Sequence, residues 1–165
     1  MVFGRKKIPD TMTVPDVPLN IDGKIIMQVD STKFLGIFID NQLWSVHIDY
    51  IALKISKGLG IIGKFHNVFP SNILLTLYFT LIYPYLLYCN IIWGCAGISI
   101  MKKLITAQKR AVRLITCSAF GAHSNVLFAQ LGLLKVMDIY TFQICMFVFK
   151  FKHNLIPPYA RRFHY

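Results

Sequence analysis

Five cationic side chains in the segment MKKLITAQKRAVRLI are spaced so that they share one side of a helix. At about 100° per residue they fall within a sector of about 120°, with apolar residues opposite. Crowded cations with no acid among them predict contact with the phosphates of a nucleic acid. An ordinary solvated basic face is the alternative. The cations are Lys102, Lys103, Lys109, Arg110 and Arg113, and the apolar residues are Met101, Leu104, Ile105, Val112 and Ile115.

A second basic stripe, Lys54, Lys57 and Lys64, lies on the helix predicted from Trp44 to about Phe65. It falls opposite apolar residues that recur at helical spacing, which strengthens the nucleic-acid interpretation. Backbone contacts of this kind position a strand and carry little sequence information. The apolar residues are Ile48, Ile51, Ile55, Leu59 and Ile62.

Other kinds of chemistry find little support. Polymerases that transfer phosphoryl groups hold two metal ions mainly with aspartates, but this sequence has no adjacent acids, no Tyr-x-Asp-Asp string and no glycine-rich phosphate loop. The five histidines are not at metal-ligand spacing, and the four cysteines match no zinc motif and are expected to be buried reduced thiols. We therefore predict no catalytic residue, no metal site and no cofactor in this chain.

Composition agrees with a polyanionic partner. The formal net charge is +11, and of the seven acids, all aspartates, only Asp138 follows Asp49. Such a balance favours a nucleic acid or an anionic membrane surface. Hydrophobic residues make up 55% of the chain, enough to bury a core.

The elements that must position these cations are mainly helical. We predict an extended or disordered connector over 1–20, a β-hairpin over 21–43, a bundle of about five helices over 44–156, and a tail over 157–165. In the hairpin, Asp30-Ser31-Thr32 is the expected turn. Three glycines in the first helix would be tolerated where another backbone packs closely; they are Gly58, Gly60 and Gly63.

The stretch ILLTLYFTLIYPYLLYCNIIWG, over 73–94, is uncharged and long enough to span a bilayer. Pro84, Asn90 and several tyrosines inside it favour instead a buried core helix with a kink at the proline.

Four motifs in order resemble the palm end and thumb of reverse transcriptases from jockey-like, LINE-type retrotransposons that lack long terminal repeats. Lys33 to Ile37 match a Lys-aromatic-Leu-Gly-hydrophobic motif. Asp40, Leu43, Trp44, His47 and Ile48 match Asp-x-x-Leu-x-Trp-x-x-His-Ile, with one residue fewer between Leu43 and Trp44. Gln108 to Ile115 resemble a Gln-x-Arg-Ala-x-Arg-x-Ile helix. A Leu-Tyr to Trp-Gly motif is matched by Tyr78, Leu81, Ile82, Pro84, Leu86, Tyr88, Cys89, Trp93 and Gly94.

This resemblance implies a role. Phe34, Leu35 and Gly36 would correspond to the primer grip, and the helices after Trp44 to the thumb, which tracks a primer–template duplex of RNA and DNA. The fingers and the palm of the same polymerase would be missing partners, with the catalytic aspartates upstream of Met1 and Mg²⁺ belonging to that palm. The resemblance therefore implies an intracellular, nuclear or cytoplasmic, fragment that grips nucleic acid, is inactive alone and makes no membrane contact.

Two alternatives stay open at this point. One is a small membrane protein with a helix spanning 73–94. The other is a transposon remnant without function, whose surfaces meant for a missing partner would be left uncovered.

Overall fold

Two short antiparallel hairpins precede the helices in a computed structural model, which describes residues 19–26, 29–41 and 44–157. The predicted fold class, mainly α with an N-terminal hairpin, is confirmed. The two hairpins are separate two-stranded sheets and do not pair with each other. Strands β1 (Leu19–Ile21) and β2 (Lys24–Ile26) form the first, and β3 (Ser31–Phe34) and β4 (Ile37–Asp40) the second.

The predicted hairpin turn was wrong. Ser31 and Thr32 lie inside β3, and the chain reverses at Leu35 and Gly36, whose φ angles are 47° and 83°. Two consecutive positive φ angles define the tight turn that matches the twist of paired strands. Of the predicted connector over 1–20, Leu19 and Asn20 belong to β1 and residues 1–18 lie outside the described ranges. Of the predicted tail, only residue 157 is described.

Seven helices follow within the described residues, two more than predicted. The long ones carry apolar residues at helical spacing and begin close to their predicted positions. They are α1 (Ser45–Phe65), α2 (Ser71–Leu81), α3 (Tyr83–Leu87), α4 (Asn90–Trp93), α5 (Ile98–Ile115), α6 (Ser124–Gln130) and α7 (Val136–Lys152).

The apolar stretch accounts for the two extra helices. Pro84 lies in the first turn of α3, so the chain starts a new helix there after α2. Cys89, at φ 51°, separates α3 from α4. The expected single kinked helix is therefore three short ones, which remain core elements through Tyr78, Leu86 and Trp93. Among the described residues, no helix is both long enough and apolar enough to cross a membrane.

One apolar core joins the long helices. The five predicted apolar positions of α1 are all buried, and four of the five in α5 are buried, with Ile105 half-buried. Full burial of such side chains stabilises the fold by roughly 1.5–3 kcal/mol each. Of the α1 glycines, only Gly58 meets a close neighbour: a Cβ there would stand 3.2 Å from the Leu81 carbonyl oxygen, whereas Gly60 faces open space.

Helices α1 and α5 run side by side in the same direction. Asp49 and Lys103 meet near the beginning of both helices, and the Cys117 thiol donates to the His66 carbonyl oxygen (3.3 Å) where both end. This arrangement sets the two basic stripes on neighbouring parallel helices.

Candidate nucleic-acid interface

The basic face of α5 lies where the periodicity predicts it. Lys102, Lys103 and Arg110 are exposed, and Lys109 and Arg113 are half-buried, opposite the core-facing side of the helix. Within the described residues, the side chains of Lys102, Lys109 and Arg110 make no hydrogen bond or ion pair with the protein. Their charges are therefore free to meet an anionic ligand.

Lys103 differs from its neighbours because it forms an ion pair with Asp49 of α1. The sequence suggested a face without acids, but the acid comes from the next helix. Both side chains are 56% exposed, so the pair contributes at most about 1 kcal/mol of stability. A phosphate at this position would have to compete with the Asp49 carboxylate.

Arg113 also has a structural role. Its Nε and Nη2 atoms donate to the Ala122 carbonyl oxygen at 3.2 and 3.1 Å, and its guanidinium lies 5.8 Å from the centre of the Phe120 ring. The side chain thus holds the loop between α5 and α6. Arg113 keeps its positive charge, but two of its N–H donors are already used in these hydrogen bonds.

A cleft opens where α1 and α5 end side by side. It has a volume of about 240 Å³ and combines Arg110 and Arg113 with His66 and Asn67, which follow α1. The His66 Nδ1–H donates to the Gly63 carbonyl oxygen at 2.7 Å, which fixes the ring. Two guanidinium groups beside the Asn67 amide and the Ser118 hydroxyl suit a phosphate oxygen. Sequence spacing gave no signal that residues 66 and 67 would join the α5 cations.

The α1 stripe lies opposite the buried isoleucines, as predicted. Lys57 and Lys64 are exposed, and Lys54 is half-buried with its Nζ 5.4 Å from the centre of the Tyr50 ring. Lys33 of β3 approaches the same ring, at 5.7 Å. Tyr50 therefore brings a hairpin cation beside the α1 stripe, a pairing that sequence reasoning missed.

The predicted grip residues form the tip of the second hairpin. Phe34 and Leu35 are 62% and 73% exposed. The Tyr88 hydroxyl, just after α3, donates to the Leu35 carbonyl oxygen at 2.6 Å. At Gly36 a Cβ would stand 3.5 Å from the Tyr88 ring, and its φ is positive, so glycine serves the turn itself.

The Asp-to-His motif forms the joint between the hairpin and α1. The Asp40 carboxylate accepts the backbone N–H of Trp44 (2.8 Å) and of Val46 (2.7 Å), which satisfies donors at the start of the helix. His47 Nδ1 accepts the Phe38 N–H at 3.4 Å. Burial lowers the pKa of His47 below its ordinary 6.5, an effect that the nearby Asp40 charge partly offsets.

Gln108, the first residue of the Gln-x-Arg-Ala-x-Arg-x-Ile motif, is buried and does not lie on the basic face of α5. Its Nε2 donates to the Tyr78 hydroxyl (2.9 Å) and the Leu134 carbonyl oxygen (2.8 Å), and its Oε1 accepts the Val136 N–H (2.8 Å). Burial raises the pKa of Tyr78 to about 12, and the Gln108 hydrogen bond partly opposes this rise. The motif glutamine thus joins α5, α2 and the start of α7.

The four cysteines are free thiols. The prediction that they are buried is wrong. Cys89 is half-buried, and Cys95, Cys117 and Cys145 are exposed. In the described ranges no three histidine, cysteine or acidic residues cluster as a metal site would require.

Comparison with known proteins gives one informative similarity. No protein-family model matches the chain, and no solved structure matches it. The chain is 27% identical over 139 residues to the probable RNA-directed DNA polymerase from transposon X-element of Drosophila melanogaster. The match covers 81% of this chain and 14% of that protein. It supports a relationship to the reverse transcriptases of retrotransposons.

Proposed function

We propose that the chain is a nucleic-acid-gripping piece of a retrotransposon reverse transcriptase. The observation that carries this is the pair of basic stripes on parallel α1 and α5, with a cationic cleft of about 240 Å³ where the helices end. Groups that contact phosphates in this way hold a duplex without reading its sequence. The ligand in this proposal is a primer–template duplex of RNA and DNA, and the similarity to an RNA-directed DNA polymerase supports that choice.

The grip would have two parts. The turn at Phe34, Leu35 and Gly36 would press on the primer end, and the thumb-like helices would track the backbone of the duplex. Lys33 and Lys54, which both lie near the Tyr50 ring, would link the two parts.

The rest of the polymerase is the second proposed partner. The match covers 14% of that relative, and along α7 four phenylalanine side chains are 41–51% exposed: Phe142, Phe147, Phe149 and Phe151. These exposed aromatic side chains support a contact with another part of the polymerase. In this proposal the catalytic aspartates and their Mg²⁺ belong to the missing palm. The chain alone would then show no primer extension.

The test is a salt titration with a labelled RNA–DNA hybrid, followed by fluorescence anisotropy. The full chain should lose affinity steeply as salt rises, because each phosphate contact releases counterions. The double variant Lys109→Gln/Arg110→Gln should bind roughly tenfold more weakly and reduce the slope of log K against log salt by about 1–2.

The matched control is Lys150→Gln/Lys152→Gln, which removes the same charge from exposed positions of α7. It should keep the wild-type slope. A flat salt dependence, or equal losses in the two double variants, would refute the proposed grip. Arg113 is left unchanged because its loop contacts would confuse the result.

A further inference from the structure

A second cavity lies between the hairpin tip, α1 and the α2–α3 region. Its volume is about 400 Å³, within the range of pockets that bind small ligands. Its walls are mainly aromatic and apolar. No residue of the basic face of α5 or of the cleft beside α5 lines this cavity. Its lining includes Gly36, His47, Tyr50, Thr80, Tyr85 and Tyr88.

His47, one of the lining residues, carries a buried hydrogen-bond donor that has no partner among the described residues. His47 Nδ1 accepts the Phe38 N–H, so the proton of the neutral ring sits on Nε2. That Nε2 is buried and has no hydrogen-bond partner among the described residues. Buried donors without acceptors are rare in folded proteins. A ligand acceptor that approaches the His47 ring from the cavity would satisfy it once the groups that cover Nε2 move aside.

Two ammonium groups stand near one wall of the cavity, although neither lysine lines it. Tyr50 forms part of the wall, and the ammonium groups of Lys33 and Lys54 stand 5.7 and 5.4 Å from the centre of its ring. A ligand that stacks on the tyrosines would therefore place an attached anionic group near two cations. Aromatic walls with adjacent cations suit an unpaired base and its phosphate.

We infer that this cavity binds the base of an unpaired nucleotide, with its phosphate toward Lys33 and Lys54. The base would lie among Tyr50, Tyr85 and Tyr88 and accept from His47 Nε2. The inference rests on the proposed function, since that assigns the nucleotide to a nucleic-acid strand. It adds a specific ligand, a single base beside the hairpin tip, to a grip otherwise made of phosphate contacts.

The test uses mononucleotides and two matched substitutions on α2. Thr80 lines the cavity and Thr76, one turn earlier, does not; both are exposed and both donate to the carbonyl oxygen four residues before them. Binding of adenosine and uridine monophosphates to the full chain is measured by calorimetry, with ribose 5-phosphate as the ligand without a base.

Thr80→Trp should fill the cavity and weaken mononucleotide binding by at least tenfold, while Thr76→Trp should bind like the wild type. Circular dichroism checks that both variants fold. Mononucleotides should also shift the His47 ring resonance, assigned with His47→Gln. Equal binding by the two tryptophan variants, or ribose 5-phosphate binding as tightly as the nucleotides, would overturn the inference.

Failure of the grip gives a different result. It appears in the salt dependence of duplex binding and in the Lys109→Gln/Arg110→Gln variant, whereas failure of the base site appears only with mononucleotides and Thr80→Trp.

Discussion

The Tyr88 hydroxyl donates a 2.6 Å hydrogen bond to the Leu35 carbonyl oxygen, across 53 residues of chain. The contact ties the hairpin tip to the end of α3. Tyr88 is itself held from the core, because the Trp93 Nε1–H donates to the Tyr88 carbonyl oxygen at 2.8 Å and Trp93 is fully buried. The position of the proposed grip is thus set by helices far along the sequence.

Removing this hydroxyl should loosen the tip and little else. In Tyr88→Phe, backbone amides of β3 and β4 should exchange with deuterium several-fold faster. The free energy of unfolding should fall by no more than about 1 kcal/mol, since the bond is exposed. The control is Tyr85→Phe, three residues earlier in α3, whose hydroxyl makes no hydrogen bond within the described residues. Equal exchange in the two variants would show that the bond does not hold the tip.

Gln108 should be among the most sensitive polar positions of the core. Gln108→Met leaves the Leu134 carbonyl oxygen and the Val136 N–H without their partner and removes the bond to the Tyr78 hydroxyl. Buried groups left unpaired cost roughly 1–3 kcal/mol each, so we expect a loss of about 2–4 kcal/mol. Urea unfolding measures it, with Gln130→Met, at an exposed position of α6, as the control. Similar losses in both variants would contradict this role.

Two glycine substitutions should change stability in opposite directions. At Gly94 an added Cβ would stand 2.6 Å from the Asn90 carbonyl oxygen and even closer to the Tyr140 ring. Gly94→Ala should therefore destabilise the protein by roughly 1–3 kcal/mol. Gly60 faces open space inside α1, so Gly60→Ala should stabilise it by about 0.5–1 kcal/mol. Thermal unfolding of both variants distinguishes the two signs, and a stable Gly94→Ala variant would refute the close packing of α7.

The helices could be predicted where one side of a helix meets the core. In α1 and α5 the apolar period alone located the buried face and, opposite it, the basic stripes. The stretch between them could not be divided in this way, because it is apolar on every side. Its breaks depend on Pro84 and on the positive φ of Cys89, a conformation that a cysteine seldom adopts.

The hairpin turn shows the limit of local signals. Asp30-Ser31-Thr32 has better turn chemistry than Leu35-Gly36, yet the chain reverses at Leu35, where φ is 47°. The bond from Tyr88 and the packing of its ring near Gly36 supply the tertiary support. The cleft at the ends of α1 and α5 was missed for the same reason, since His66 and Arg110 become neighbours only through the packing of two helices.

Stability should depend on pH through His47. Burial lowers the pKa of this imidazole in the folded protein below its ordinary 6.5, so the unfolded chain takes up a proton at a higher pH than the folded one does. Its contribution is therefore fully present above about pH 6.5 and is lost as the pH falls from there toward the folded pKa. Urea unfolding at about pH 7.5 and about pH 5.5 should show the wild type losing more stability than His47→Gln.

The control for this loss is His153→Gln, at the exposed end of α7, which should keep the wild-type pH dependence. If His47→Gln lost as much stability at low pH as the wild type, the titrating group would lie elsewhere. The same result would weaken the base site, because a neutral imidazole with its proton on Nε2 is the donor on which that site depends. Proton uptake at His47 would add a proton to Nδ1 and break its bond to the Phe38 N–H, so acid should loosen the hairpin from α1 before the helices unfold.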